Sequence, residues 1–155
     1  MNHLYTFKEV SLDDLASILP QAEHAFLPSV DNPEETTSEL LKEQKSKKGF
    51  HCFALYHKKE ICSFIITWPY KEEDTVAIGP MFVSAKYRGQ GLGTLQVIKL
   101  SIWAKEHNIK GIFTKTWEHN LASRATFTKT GFSIIGEKAG DRITGESTIK
   151  YFLTL

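Results

Sequence analysis

The residues best equipped for chemistry lie between positions 76 and 94. Val76-Ala77-Ile78-Gly79-Pro80-Met81-Phe82-Val83 reads as a strand, and Arg88-Gly89-Gln90-Gly91-Leu92-Gly93-Thr94 forms a glycine-rich turn ahead of an apolar helix. Glycine lets the backbone approach a ligand closely. The first turn of a helix has N–H groups without intrahelical partners, at the positive end of the helix dipole, where anions bind. Arg88 adds a planar, permanently charged fork that suits phosphate oxygens. These residues therefore read as the site of a phosphate-bearing ligand.

Spacing excludes two familiar phosphate motifs. A nucleotide P-loop ends in Gly-Lys-Ser/Thr, whereas Gly93 is followed by Thr94 and Leu95. The dinucleotide fingerprint needs Gly-x-Gly-x-x-Gly, whereas Gly89, Gly91 and Gly93 occupy every second position. The pattern that remains is Arg-x-x-Gly-x-Gly, from Arg88 through Gly91 to Gly93.

The elements that must position this turn follow from patterning. Leu4 to Val10 reads as the first strand. Ser11 caps a helix whose apolar stripe (Leu12, Leu15, Ile18, Leu19) runs until Pro20 interrupts it. Asn32 caps a second helix, with Pro33 at its first position, acids toward its start, lysines toward its end and Gly49 as its stop. A hairpin follows, Phe50 to His57 and Glu60 to Thr67, turning at Lys58-Lys59. The strand Thr75 to Val83 contains Gly79-Pro80, which predicts a β-bulge because proline has no N–H for the ladder. A largely buried helix spans Thr94 to His107. After it come a strand Gly111 to Trp117, a helix Leu121 to Lys129, and strands Phe132 to Lys138 and Ser147 to Leu155. A strand, turn, helix and strand in succession predict a right-handed parallel crossover. No repeat or linker interrupts the chain, so residues 1–155 read as a single α/β domain with a mixed sheet.

Other features bound the function. A formal net charge of +1 gives no global field for nucleic acid or an anionic membrane. The apolar runs are too short to span a bilayer, and Met1 to Tyr5 lacks the basic-then-apolar pattern of a secretory leader, so the expected location is the cytoplasm. His24, His51, His57 and His107 lack metal-ligand spacing, so no metal is expected. A two-residue hairpin turn places His57 opposite Glu60, Leu55 opposite Cys62 and Cys52 opposite Ile65. The two cysteines then fall on opposite sheet faces, as reduced packing residues rather than a bridge. Trp68, Tyr70 and Trp117, at strand ends, are candidate walls of an acceptor cleft.

The Arg-x-x-Gly-x-Gly turn resembles the pyrophosphate motif of the GCN5-related N-acetyltransferases. The element order β-α-α-β-β-β-α-β-α-β-β resembles theirs over essentially the whole chain. So does Asn120-Leu121-Ala122-Ser123-Arg124-Ala125-Thr126-Phe127-Thr128-Lys129-Thr130-Gly131-Phe132, in which an Asn precedes a short helix ending in Gly-Phe. The resemblance implies an α/β (α+β) acyl-CoA N-acyltransferase fold, a mixed central sheet of about seven strands flanked by about four helices. It implies acetyl-CoA as co-substrate, direct transfer in a ternary complex, and a primary amine of a small molecule or peptide as acceptor. Neither nucleic acid nor membrane is an expected partner, and the chain would be a monomer or homodimer. By the same resemblance, the backbone of Met81, Phe82 and Val83 would pair with the pantetheine arm. Arg88, Gly89, Gln90, Gly91, Leu92, Gly93 and Thr94 would hold the pyrophosphate, and Asn120 would meet the cofactor where the central strands splay. The bulge would turn a backbone N–H toward the thioester carbonyl as an oxyanion donor. The acceptor would lie against the segment from about Phe26 to Thr37.

One position departs from the family. Seven residues after the Asn, where a Tyr commonly protonates the departing thiolate, stands Phe127, which has no proton to give. It still lines the expected cofactor site, and it also suits an acyl-CoA-binding or sensor module that has lost transfer. The remaining candidates for proton handling are Glu118 and His119, which close a strand at the carboxyl edge of the sheet, where α/β sites gather. His119 has an intrinsic pKa suited to neutral pH.

Overall fold

Seven strands form one mixed sheet in the order β1-β2-β3-β4-β5-β7-β6. They are β1 (Tyr5–Val10), β2 (His51–His57), β3 (Glu60–Pro69), β4 (Thr75–Val83), β5 (Gly111–Trp117), β6 (Ser133–Lys138) and β7 (Thr148–Thr154). Four α-helices accompany them: α1 (Leu19–Ala22), α2 (Thr37–Gln44), α3 (Leu92–Glu106) and α4 (Leu121–Lys129). The computed structural model describes residues 4–155; Met1, Asn2 and His3, on which the reading of the amino terminus rests, lie outside them. Every pairing is antiparallel except β4 with β5, which are parallel and joined through α3. The sheet, the helices and their order agree with the mixed α/β fold that the sequence predicts.

Helices cover both faces. On one, Val97 and Leu100 of α3 pack with Phe53, Ile65, Val76 and Ile112. On the other, Leu15, Ile18 and Leu41 pack with Cys52, Phe64 and Phe82. Burying one such side chain contributes about 1.5–3 kcal/mol, so the two layers together hold the sheet between them.

The first two helices differ from the sequence reading. The Ser11 stripe does not make one helix: Asp13–Leu15 is a short 3₁₀ turn. The Ser11 N–H donates to Asp14 Oδ2 (2.9 Å), and the Asp14 N–H donates to Ser11 Oγ (3.2 Å), which closes that turn locally. Helix α1 begins only at Leu19, so Pro20 opens a helix rather than ending one; its missing N–H would be unpaired there in any case. The second helix starts at Thr37, not at Asn32-Pro33. Thr36 Oγ1 accepts from the Glu39 N–H and Glu39 Oε2 accepts from the Thr36 N–H, a reciprocal cap that the Asn32 signal does not match.

The hairpin also carries an unforeseen irregularity. His57 faces Glu60 as expected, but the register slips so that Leu55 faces Ser63 and Cys52 faces Ile66. The slip falls at Cys62, one residue off the simple alternation. Cys62 still packs beside Leu55, Tyr87 and Leu92, and Cys52 beside the other core, so the thiols remain free and apart. Burial pushes the Cys52 thiol up to about 12, so it is an inert packing group.

Two irregularities position the site. Strands β4 and β5 pair only at Thr75–Ala77 with Gly111–Phe113, then part. The β3–β4 register slips between Ile65 and Thr67, opposite Gly79-Pro80, which is the expected bulge. A Cβ on Gly79 would lie 2.4 Å from carbons of the Trp68 indole, so glycine there makes room for the ring.

Candidate functional site

The glycine turn leads into α3 through Gly91, its N-cap, which has φ 77° and ψ 16°. Gly89 also has φ 77°. Both sit in the left-handed region, where an L side chain costs about 1–2 kcal/mol. An added Cβ at either glycine meets nothing within 4 Å, so the space above them is open. No side chain caps α3, which leaves its first N–H groups and the positive end of its dipole facing that space. Arg88 Nε donates to the Val83 carbonyl (2.9 Å), and the guanidinium lies over the Phe82 ring, 5.2 Å from its centroid. This contact fixes the fork and leaves its terminal N–H groups, unpartnered among the described residues, at the mouth of the turn.

The turn opens onto a cleft of about 390 Å³, walled by the end of β4, the turn itself, the first turns of α3, and Asn120, Ala122, Ser123 and Thr126. A second cavity of about 150 Å³ lies between the parted strands, against Ile78 to Met81 of β4 and Thr114 to Trp117 of β5. Four consecutive residues of β4 reach it because the bulge breaks the alternation of faces. The two spaces share Phe26, Met81, Trp117, Asn120 and Ser123 and so meet at that point.

The structure brings most of the expected residues together. Met81, Phe82, Val83, Arg88, Gly89, Gly91, Leu92, Gly93, Thr94 and Asn120 line the cleft, and Phe127 lines the second cavity. Asn120 is held from two sides: Nδ2 donates to Thr116 Oγ1 (2.9 Å), and Oδ1 accepts from the Ser123 N–H (3.4 Å) at the start of α4. Phe127 is 2% exposed and packs beside Phe132 and Tyr151. Trp68 and Trp117 line the second cavity, whereas Tyr70 stacks on Phe113 away from it.

Besides Tyr70, three expected residues stand outside both spaces. The Gln90 side chain is turned toward β1, where Oε1 accepts from the Tyr5 hydroxyl (2.7 Å). Glu118 Oε1 accepts from the Ser147 N–H (2.8 Å), a structural contact across the β6–β7 connection. His119 is solvent-exposed, and its Nδ1 lies 2.8 Å from Glu146 Oε1. Among the described residues, no carboxylate and no histidine lines either space. Tyr87 lines the cleft, but its hydroxyl is engaged by the Glu60 carboxylate, which raises the phenol pKa.

Sequence reasoning missed Gln96. It is wholly buried, lines the cleft, and neither amide atom has a partner. An unpaired buried amide costs about 1–3 kcal/mol, so it calls for an explanation. Its signal was a polar residue on the buried stripe of α3, four positions from both Leu92 and Leu100. Also missed were Lys115 and Arg142, which lie far apart in the chain and meet only in the fold.

A glycine turn at a helix start, a cleft along β4 and a cavity between two parted parallel strands thus adjoin one another. Residues 15–132 match the model of the acetyltransferase (GNAT) family, and the chain belongs to that family. Over 55 residues it is 36% identical to a Bacillus subtilis (strain 168) protein described as an uncharacterized N-acetyltransferase, YobR; the match covers 36% of this chain and 22% of that relative. Among solved structures, spermidine N-acetyltransferase from Vibrio cholerae, with CoA and spermine, superposes with a TM-score of 0.79 at 12% identity, covering 99% of this chain and 96% of that one. A GNAT family acetyltransferase from Elizabethkingia anophelis with acetyl-CoA bound superposes at 0.76 and 15% identity, covering 99% and 100%. At these identities the two structures speak for the fold.

Proposed function

We propose that the protein binds acetyl-CoA and transfers its acetyl group directly to a primary amine. The observation that carries this reading is the continuity of the phosphate turn with the cavity between β4 and β5. The pyrophosphate would sit on the Gly89–Thr94 turn and the Arg88 fork, the pantetheine arm along Met81–Val83, and the thioester where the two spaces meet, beside Asn120. The acceptor would enter through the second cavity. Its nitrogen attacks the thioester carbonyl, the C–S bond breaks, the thiolate leaves, and the ammonium formed on the acceptor loses a proton. With no carboxylate or histidine on the walls among the described residues, that proton passes to solvent, and the acceptor reacts as its free amine. Catalysis then comes from positioning and from a backbone N–H of the Gly79-Pro80 bulge facing the developing oxyanion. A pure acyl-CoA binder is the second reading, favoured by Phe127 and by the lack, among the described residues, of a carboxylate or histidine on those walls. Thiol release in the presence of an amine separates the two.

The direct test is calorimetric titration of acetyl-CoA into the wild type and Arg88→Ala. Removing a charge-assisted phosphate contact worth about 1.5–3 kcal/mol should weaken binding roughly 10- to 100-fold. A folded wild type that does not bind acetyl-CoA would overturn the reading.

Gln96 fits the same picture: its amide can donate to and accept from the pantetheine amides. Gln96→Leu should weaken acetyl-CoA binding by about tenfold while leaving adenosine 3′,5′-diphosphate binding unchanged, since the nucleotide end lies elsewhere. Equal affinity for acetyl-CoA in the variant would reduce Gln96 to a packing residue.

A further inference from the structure

The cofactor reading leaves the charge of the second cavity unexplained. Its charged lining residues are Lys115 and Arg142, both positive. Lys115 stands on β5 between Thr114 and Thr116, which are buried on the α3 side; alternation turns it to the opposite face, with Trp117. Lys150 of β7 lies directly across from it. Among the described residues, the Lys115 ammonium has no ion pair. Although the residue is exposed overall, burial of its ammonium, and then the charge of Arg142, hold it below the usual lysine range. Arg142 is 9% exposed; Nε donates to Thr148 Oγ1 (2.8 Å), Nη1 donates to the Leu27 carbonyl, and the guanidinium lies over the Trp117 ring. It too has no carboxylate within 4 Å.

The nearby acids pair with neither cation. Asp141 accepts from Thr148 Oγ1 (2.6 Å) and pairs with Lys138 (3.1 Å), which also reaches Asp31 (3.3 Å). Glu35 is close enough for Lys115 to lower its pKa, yet burial, with Glu43 and Glu39, pushes its carboxyl up on balance, and it does not line the cavity. Two partly desolvated cations without a carboxylate partner are costly, and a bound anion would relieve them. The remaining walls include Trp68, Trp117, Phe26 and Leu40, a lining for an apolar or aromatic body.

We propose that the second cavity selects an acceptor that carries a carboxylate as well as its amine, a small molecule of the amino-acid class. The carboxylate rests on Lys115 and Arg142, the side chain lies against Trp68 and Trp117, and the amine points to the junction beside Asn120. A polyamine, with no anionic group and two or more positive charges, is repelled from the same wall. This assignment rests on the acyl-transfer reading above.

Product analogues differing only in the carboxylate test it before the acceptor itself is identified. N-acetyl-L-phenylalanine and N-acetylphenethylamine are titrated into the CoA-loaded protein by calorimetry. The carboxylate-bearing analogue is expected to bind at least about tenfold more tightly, and Lys115→Met to lose that margin. Lys115→Glu should invert it, which separates charge recognition from packing, and acetyl-CoA titration of each variant reports whether the fold and cofactor cleft persist. Equal binding, preference for the neutral analogue, or no binding of either overturns the assignment while acetyl-CoA still binds. Failure of acetyl-CoA to bind the wild type overturns the acyl-transfer reading and this assignment together.

Discussion

Gly91→Ala is expected to weaken acetyl-CoA binding by about 100-fold or more. Two effects act together. Gly91 holds φ 77° at the N-cap of α3, and an L side chain there costs about 1–2 kcal/mol. If the backbone relaxes to relieve that strain, the first N–H groups of α3 turn away from the pyrophosphate. Each charge-assisted hydrogen bond lost removes about 1.5–3 kcal/mol. If the backbone holds, the new Cβ fills the open space where phosphate oxygens must approach. Both routes reduce affinity; the second, in which the folded chain keeps the strain, also lowers Tm, by roughly 2–8 °C. Gly93→Ala is the control. Gly93 has no positive φ, and its Cβ would meet Thr126 Oγ1 at 3.7 Å, an ordinary contact. Calorimetry and thermal melts of both variants check the contrast, and equal losses of affinity at the two positions would show that bulk, rather than backbone conformation, decides binding.

That contrast also shows why this part of the molecule was legible in the sequence. A turn with left-handed backbone calls for glycines, and α3 begins immediately after them, so the geometry is written in adjacent residues. The bulge in β4 is equally local, because proline cannot serve a ladder and announces itself at Pro80. The α1–α2 layer was misread because local signals competed there. Asn32-Pro33 and Thr36 are both sound helix starts, and only the reciprocal contact of Thr36 with Glu39 decides between them. The slip at Cys62 has no signal, since a cysteine among β-formers looks the same whether it is paired or bulged. Lys115 and Arg142 were invisible for a third reason. They come together only because β5 pairs with β7, setting Trp117 opposite Thr148, and because the connection before β7 bridges to Ser29. Their meaning depends on which carboxylates are engaged elsewhere, and a linear reading cannot count those. Glu118 and His119 illustrate the converse: an edge position suggested chemistry, and Ser147 and Glu146 had already claimed both side chains.

Phe127→Tyr is expected to raise kcat by about tenfold or more without changing acetyl-CoA affinity. The ring lines the second cavity beside Asn120, next to where the thioester would lie. That cavity, about 150 Å³, has room for one more oxygen, since a water in the liquid occupies about 30 Å³. A phenol there places a proton donor beside the departing thiolate, where Phe127 has none to give. General acid assistance is worth about 10²- to 10⁴-fold when geometry is optimal, and a grafted hydroxyl recovers part of it. A phenol of pKa about 10 stays protonated across the neutral range, so the gain should hold at pH 7 and fade as pH rises through 10. A pH profile of kcat for both proteins reads this directly. Unchanged kcat with unchanged Tm would show that the thiolate, as the anion of a thiol of pKa about 8.5, departs unaided. A fall in kcat together with Tm would place the new hydroxyl between Phe132 and Tyr151, where the Phe127 ring already packs with centroids 5.3 Å and 5.4 Å away. Turnover by the tyrosine variant alone would mark Phe127 as the residue that separates a binder from an enzyme on this scaffold.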